Sequence, residues 1–198
     1  MSAHVECYFT PISPWAYLGM ARFRRIVANT RVSASWKPVD ISRVFATVGA
    51  VPVGKRPQSK QANRLQELER WRDYLGLPLN LQPKFFPVDP DPACRLIAAA
   101  ILQGEDGAAL SEACLKAVWS EERDLSDVAT LASIADECGL NGSQLTSLSD
   151  QPEAQILIDR YTDQAISKGV IGSPCYVIDD QVYFGQDRLD FVERALQL

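Results

Sequence analysis

The apolar positions of this chain change their period twice. From Val5 to Phe9 a short β-prone run precedes Ser13-Pro14. That pair suits a helix start, with Ser as N-cap and Pro in the first turn, where its missing N–H has no bond to lose. Trp15, Leu18 and Ile26 then fall on one side of a helix predicted over about Pro14–Ala28, and Val32–Val39, with Trp36 inside it, reads as a second strand. The N-terminal stretch is therefore β-α-β. The middle of the chain carries helical spacing throughout. Ala62–Leu75 places Leu65, Leu68, Trp71 or Arg72, and Leu75 near one face and stops at Gly76 and Pro78. Asp91-Pro92 opens a helix through Cys94, Leu96, Ile97 and Ile101. Further helices are expected around Gly107–Glu121, Ser126–Cys138 (closed by Gly139), Ser143–Leu148 and Pro152–Ser167 (closed by Gly169). None of these segments alternates as a strand does.

Alternation returns at the end. Cys175–Ile178 and Gln181–Phe184 read as two strands joined by a tight turn at Asp179-Asp180, and a last helix runs from near Asp187 to Leu196 with Leu189, Val192 and Leu196 inward. The order β-α-β, helical block, α-β-β-α is that of an α/β thioredoxin-like domain carrying a large inserted all-helical domain. The expected division is residues 1–42 and 151–198 for the thioredoxin-like domain and 43–150 for the insertion.

Composition narrows the class of function. The chain has 198 residues, 46% of them hydrophobic and 23% charged, which suits one packed domain or one domain with an insertion. Lys and Arg total 20 against 25 Asp and Glu, a net charge of −5, so nonspecific nucleic-acid or membrane-surface binding is not expected. No apolar run approaches the ~18–20 residues that span a bilayer. The first residues lack a basic region followed by an apolar core, and a cytoplasmic location is expected. Five cysteines, Cys7, Cys94, Cys114, Cys138 and Cys175, are an odd number without any C-x-x-C pair, which argues against a disulfide framework and a zinc ribbon. Cys94, Cys114 and Cys138 lie beside Ala and Leu in helical patterns and read as small buried hydrophobes. The single histidine, His4, stands at the start of the first strand, in a structural or solvent-facing role. No metal site is expected, and the chemistry proceeds without a histidine base.

In the expected topology two loops meet, Thr10–Ala16 and Gly172-Ser173-Pro174. A redox protein of this fold would carry C-x-x-C in the first loop. Here Ser13-Pro14-Trp15-Ala16 has Ser and Ala at those positions, so dithiol–disulfide exchange through them is impossible. What remains is a hydroxyl at a helix N-terminus, where free N–H groups and partial positive charge favour an anion. Ser13 can donate to the thiolate of a small-molecule thiol, or it can be a plain N-cap. Gly-Ser-Pro entering a strand is where thioredoxin-like proteins place a cis-proline. A cis bond leaves the backbone of the preceding residue to pair with the cysteine of a bound peptide, whereas an ordinary trans proline has no such role. Cys175 reads as structural, with a redox-active thiol as the alternative.

Ser13-Pro14-Trp15-Ala16-Tyr17-Leu18-Gly19 resembles the active-site opening of the 2-hydroxychromene-2-carboxylate isomerases, relatives of kappa-class glutathione transferases and of the DsbA thiol oxidoreductases. The resemblance extends through Pro38-Val39-Asp40-Ile41, Leu68-Glu69-Arg70-Trp71, Leu75–Leu79, Ala117-Val118-Trp119 and Gly172-Ser173-Pro174, and on to Phe184-Gly185-Gln186-Asp187-Arg188-Leu189. It implies a glutathione-dependent isomerase of a small aromatic carboxylate, interconverting 2-hydroxychromene-2-carboxylate and trans-o-hydroxybenzylidenepyruvate. A kappa-like glutathione transferase and a non-catalytic thioredoxin-fold binding protein are the alternatives. By position, Ser13 would activate the glutathione sulfur. Ser173, before Pro174, would hold the glutathione cysteine, and Phe184, Gly185, Gln186 and Asp187 would hold its γ-glutamyl end. Asp187 as a simple helix cap remains open. Phe45, Lys55, Arg56 and Phe85 would bind substrate, although Lys55 stands where the family has an asparagine and Phe45 where a basic residue occurs; Lys55 and Arg56 equally read as a solvated pair and Phe85 as core. The resemblance also implies a homodimer.

Overall fold

The computed structural model describes residues 4–197. Strand β1 (His4–Phe9), helix α1 (Pro14–Thr30) and strand β2 (Ser33–Pro38) form the opening β-α-β unit, and β1 and β2 pair in parallel, Val5 beside Ala34 and Cys7 beside Trp36. Seven helices follow, α2 (Ile41–Val48), α3 (Gln58–Leu75), α4 (Asp91–Leu102), α5 (Gly107–Trp119), α6 (Val128–Glu137), α7 (Gly142–Ser149) and α8 (Pro152–Ser167). Strands β3 (Cys175–Ile178) and β4 (Gln181–Phe184), a 3-10 turn over Gln186–Arg188 and helix α9 (Leu189–Leu196) close the described chain. The sheet order is β2-β1-β3-β4, with β3 antiparallel to both its neighbours. This is a thioredoxin-like sheet with a helical insertion.

The two-residue period of the strands sorts their side chains onto two faces. Val5, Cys7 and Phe9 of β1, with Tyr176 and Ile178 of β3, join one buried cluster with α1, α4, α5 and α9. Tyr8, Cys175 and Val177 point the other way, into a second cluster with α2 and α8 and with Cys94 and Ala98 of α4. Helices of the insertion thus contribute to both clusters, and Trp119, fully buried at the end of α5, belongs to the same core as Phe23 of α1. No described helix is long and apolar enough to cross a membrane.

Helix α2 occupies a stretch to which the sequence pattern assigns no individual element. Asp40 caps it by accepting the N–H groups of Ser42 and Arg43, and Gly49 ends it in the left-handed conformation. Helix α3 also begins earlier than Ala62, at Gln58 after Pro57. The α3 residues that line the site, Arg64, Glu67 and Trp71, come from the body of this helix.

Candidate functional site

The β1–α1 loop is fixed from three directions. Ser13 N–H donates to the Thr10 carbonyl at 3.1 Å, and the buried Trp119 indole N–H donates to the Ile12 carbonyl at 3.2 Å. Thr10 N–H donates to Ser173 Oγ across the sheet at 3.0 Å. Ser13 then performs two tasks with one hydroxyl. Its Oγ accepts the Ala16 N–H at 3.2 Å, capping α1, and its O–H donates to the Ser173 carbonyl at 3.0 Å. The Ser173–Pro174 peptide is cis. The two loops that the sequence pairs therefore meet at Ser173 through two hydrogen bonds, from Thr10 and from Ser13, and both serines are buried. A hydroxyl offers one donor and two acceptor positions, so the O–H can turn toward a new acceptor while a lone pair keeps the helix cap.

Two cavities adjoin this junction and share Trp15 and Ser173 in their walls. The first, of about 340 Å³, is lined by Trp15, Glu67, Trp71, Ser173, Phe184, Gly185, Gln186, Asp187 and Arg188. Gly185 lies here at φ 99°, and its N–H donates to the Pro174 carbonyl at 2.9 Å. Gln186 is 2% exposed, yet neither its amide oxygen nor its amide nitrogen has a partner among the described residues. Gln186 approaches α1 at Gly19, where a Cβ would lie 2.7 Å from the Gln186 Cβ. Gly172 keeps similar room for the Phe184 ring. Buried amides without a protein partner are rare in folded chains, and this one borders the cavity.

The second cavity, of about 140 Å³, is mostly apolar. Thr10, Ile12, Ser13, Pro14, Trp15, Ile41, Phe45, Val53, Arg56, Arg64, Phe86 and Ser173 line it. Of the expected substrate residues the structure brings Phe45 and Arg56 here. Lys55 is exposed and lines neither cavity. Phe86, rather than Phe85, forms the aromatic wall, stacked obliquely on Trp119 at 4.8 Å between centroids. Phe85 instead lies under the Lys84 ammonium, 4.9 Å away. Arg64, absent from the sequence-based set, stands over the Phe86 and Trp119 rings at 5.5 and 5.8 Å.

None of the described cysteines is a thiolate in waiting. All five are free thiols, and burial pushes their pKa values up, to about 12 at Cys114. Cys175, next to Pro174, is fully buried on the α8 side of the sheet; burial raises its pKa and outweighs the lowering effect of backbone hydrogen bonding at Ile171 and Gly172.

Residues 4–197 match the family model of the DSBA-like thioredoxin domain. The chain belongs to that family. A 2-hydroxychromene-2-carboxylate isomerase of Sphingobium xenophagum is 29% identical, with 99% of each chain covered. The kappa 1 glutathione S-transferase of Rattus norvegicus is 21% identical over 97% of this chain and 90% of its own. Among solved structures, a 2-hydroxychromene-2-carboxylate isomerase superposes with a TM-score of 0.80 at 24% identity, covering 98% of this chain and 94% of that one. The cytosolic disulfide reductase DsbM of Pseudomonas aeruginosa, solved with GSH, gives 0.71 at 16% identity, covering 98% and 100%. The DSBA-like fold therefore holds here with serine and alanine where a redox member has its cysteine pair.

Proposed function

We propose that this chain is a glutathione-dependent isomerase of a small aromatic carboxylate, of the 2-hydroxychromene-2-carboxylate isomerase type. The observation that carries the reading is the Ser13 hydroxyl in the wall of the second cavity, held at the α1 N-terminus and 3.0 Å from the carbonyl of Ser173, a residue that lines both cavities. Full-length relatives bearing the isomerase name support it. The lining of the first cavity fits glutathione, with Asp187 already paired to Arg188 at 3.4 Å. Gln186 offers a buried amide, Asp187 a carboxylate for an ammonium group, and Gly185 the room that a side chain would fill. Bound glutathione would supply a thiol that adds to an unsaturated carbon of the substrate and leaves again after rotation about the former double bond.

The protein's part is to make and hold the thiolate. Ser13 would exchange its hydrogen bond to Ser173 for one to sulfur, without giving up the Ala16 cap. Ser173 would offer its backbone to the cysteine residue of the ligand, and the α1 N-terminal amides would favour the negative charge. Lowering a thiol pKa by two units requires roughly 2.7 kcal/mol, within the combined range of a helix terminus and one charge-assisted hydrogen bond. Phe45 and Arg56 would contact substrate in the second cavity. The same reading places the protein in the cytoplasm, where small thiols stay reduced, and implies a homodimer, which light scattering after gel filtration checks.

Ser13→Ala tests the assignment. The variant should fold, losing about 1 kcal/mol of capping. Turnover at neutral pH should fall by roughly 10–1000-fold, and the pKa of bound glutathione, read from thiolate absorbance, should rise. Unchanged turnover and thiol pKa would reduce Ser13 to a helix cap. A transferase outcome, favoured by the kappa-class relative, would appear as stoichiometric loss of free glutathione to an electrophile. A non-catalytic binding protein would show no saturable effect of glutathione.

A further inference from the structure

Two arginines line the smaller cavity and no acidic residue does. Arg56 has already committed its Nε–H to the Val51 carbonyl at 2.7 Å. Arg64 has no comparable tie. Its guanidinium rests on the Phe86 and Trp119 rings, and among the described residues no carboxylate compensates it. Burial, and then the neighbouring Arg56, both disfavour its charged form. A partly buried cation with only aromatic faces and a second cation around it is under-compensated, and an entering anion relieves it. The planar fork of arginine takes a carboxylate through two parallel hydrogen bonds. The two rings also hold the side chain in place, so little freedom is lost when those bonds form.

The rest of the cavity indicates the body of the ligand. Ile41, Phe45, Val53 and Phe86 present apolar walls, and the volume of about 140 Å³ is close to the ~150 Å³ that admits a single benzene ring. Thr10, 4% exposed, has a hydroxyl without a partner among the described residues and lines the same space. Ser13 is in the wall.

We propose that Arg64 is the carboxylate-binding, specificity-determining residue of this cavity, which selects planar arylalkenyl carboxylates over their neutral counterparts. The reaction follows from the glutathione-dependent reading above, on which this proposal rests for turnover; the selection itself needs only this cavity.

Binding of cinnamate and of cinnamamide to the full-length protein, measured by calorimetry, tests the selection separately from the reaction. Wild type should prefer cinnamate by about tenfold or more, the scale of one good charge-assisted contact. Arg64→Met keeps an unbranched side chain against Phe86 and Trp119; it should abolish the preference and leave glutathione affinity unchanged. Arg64→Lys should recover only part of the preference, because the ammonium lacks the fork. If Arg64→Met does not fold, Arg64→Gln carries the same expectation. With a carboxylate substrate, KM should rise about tenfold or more at nearly constant kcat, as for a contact made equally in ground and transition states. The proposal is overturned by a wild type without preference, by a preference that survives in folded Arg64→Met or Arg64→Gln, or by its loss only in Arg56→Met. It is equally overturned if glutathione affinity falls while the cinnamate preference stays, which would give Arg64 to a carboxylate of glutathione. A wild type that selects cinnamate through Arg64 but isomerises nothing would sink the reaction and sustain the proposal.

Discussion

Gly185 combines φ 99° with ψ 151°, a region open to almost no other residue, and a Cβ built there would lie 2.4 Å from Asp187 Oδ1. The glycine is therefore what lets Asp187 fold back toward the cavity. Gly185→Ala should destabilise the protein by about 1–3 kcal/mol and weaken glutathione binding by displacing Asp187. Thermal unfolding measures the first effect and calorimetry the second. Native stability with native glutathione affinity would mean that the turn adapts without moving its acid. Ser13 sits at a similarly economical position. One oxygen caps a helix and reaches Ser173, so its removal is felt at two backbone groups even before any ligand is present.

At the scale of elements, the sheet carries a buried ionic group away from the cavities. Lys37 on β2 donates to Glu6 Oε1 of β1 at 2.5 Å and to Gln164 of α8 at 2.9 Å, while Lys168 donates to the other Glu6 oxygen at 2.8 Å. Burial raises the Glu6 pKa, but the hydrogen bonds from Lys168 and then Lys37 outweigh it and hold the carboxyl below its ordinary range. A depressed carboxyl pKa contributes stability that is complete above the unfolded value and lost as pH falls through the folded one. Denaturant midpoints should thus decline below about pH 4, and Glu6→Gln should flatten that decline. At pH 7 the same change should cost roughly 3 kcal/mol, because it leaves Lys37 buried without its counter-charge; a loss within about 0.5 kcal/mol would mean that Gln164 and water suffice. Element boundaries set by caps and stop residues were legible beforehand: Ser13-Pro14, Gly76, Gly139 and Gly169 all mark ends in the structure. The contact between the Ser13 and Ser173 loops followed from the element order. Helix α2 is absent from the periodicity reading although Asp40 and Gly49 mark its ends, because eight residues give too few turns to establish a helical period. Arg64 was missed for a different reason. Its aromatic partners come from segments remote in sequence, and local period says nothing about them. Between Phe85 and Phe86 no local rule decides; packing against Trp119 does.

Across the whole molecule, the insertion and the sheet share their cores. Trp119 and Leu115 of α5 lie in one cluster with Val5, Phe9 and Phe23, and Cys94 and Ala98 of α4 lie in another with Tyr8 and Val177. Heat should therefore unfold the chain in one transition with equal calorimetric and van't Hoff enthalpies. A fragment of residues 43–150 alone should remain unfolded by circular dichroism; an independently folded fragment would contradict the shared core. The burial of the cysteines has a consequence for survival under chemical stress. Electrophiles and peroxides attack thiolates, and this chain presents none, since even the partly exposed Cys138 has its pKa raised by burial and by nearby acidic groups, Glu137 first. The reactive sulfur would belong to a dissolved, replaceable molecule. After exposure to iodoacetamide and removal of the reagent, fresh glutathione should restore full turnover, with mass spectrometry finding modification at Cys138 or nowhere. Oxidative injury would then fall on the thiol pool and spare the protein, which could resume work as soon as that pool is reduced again.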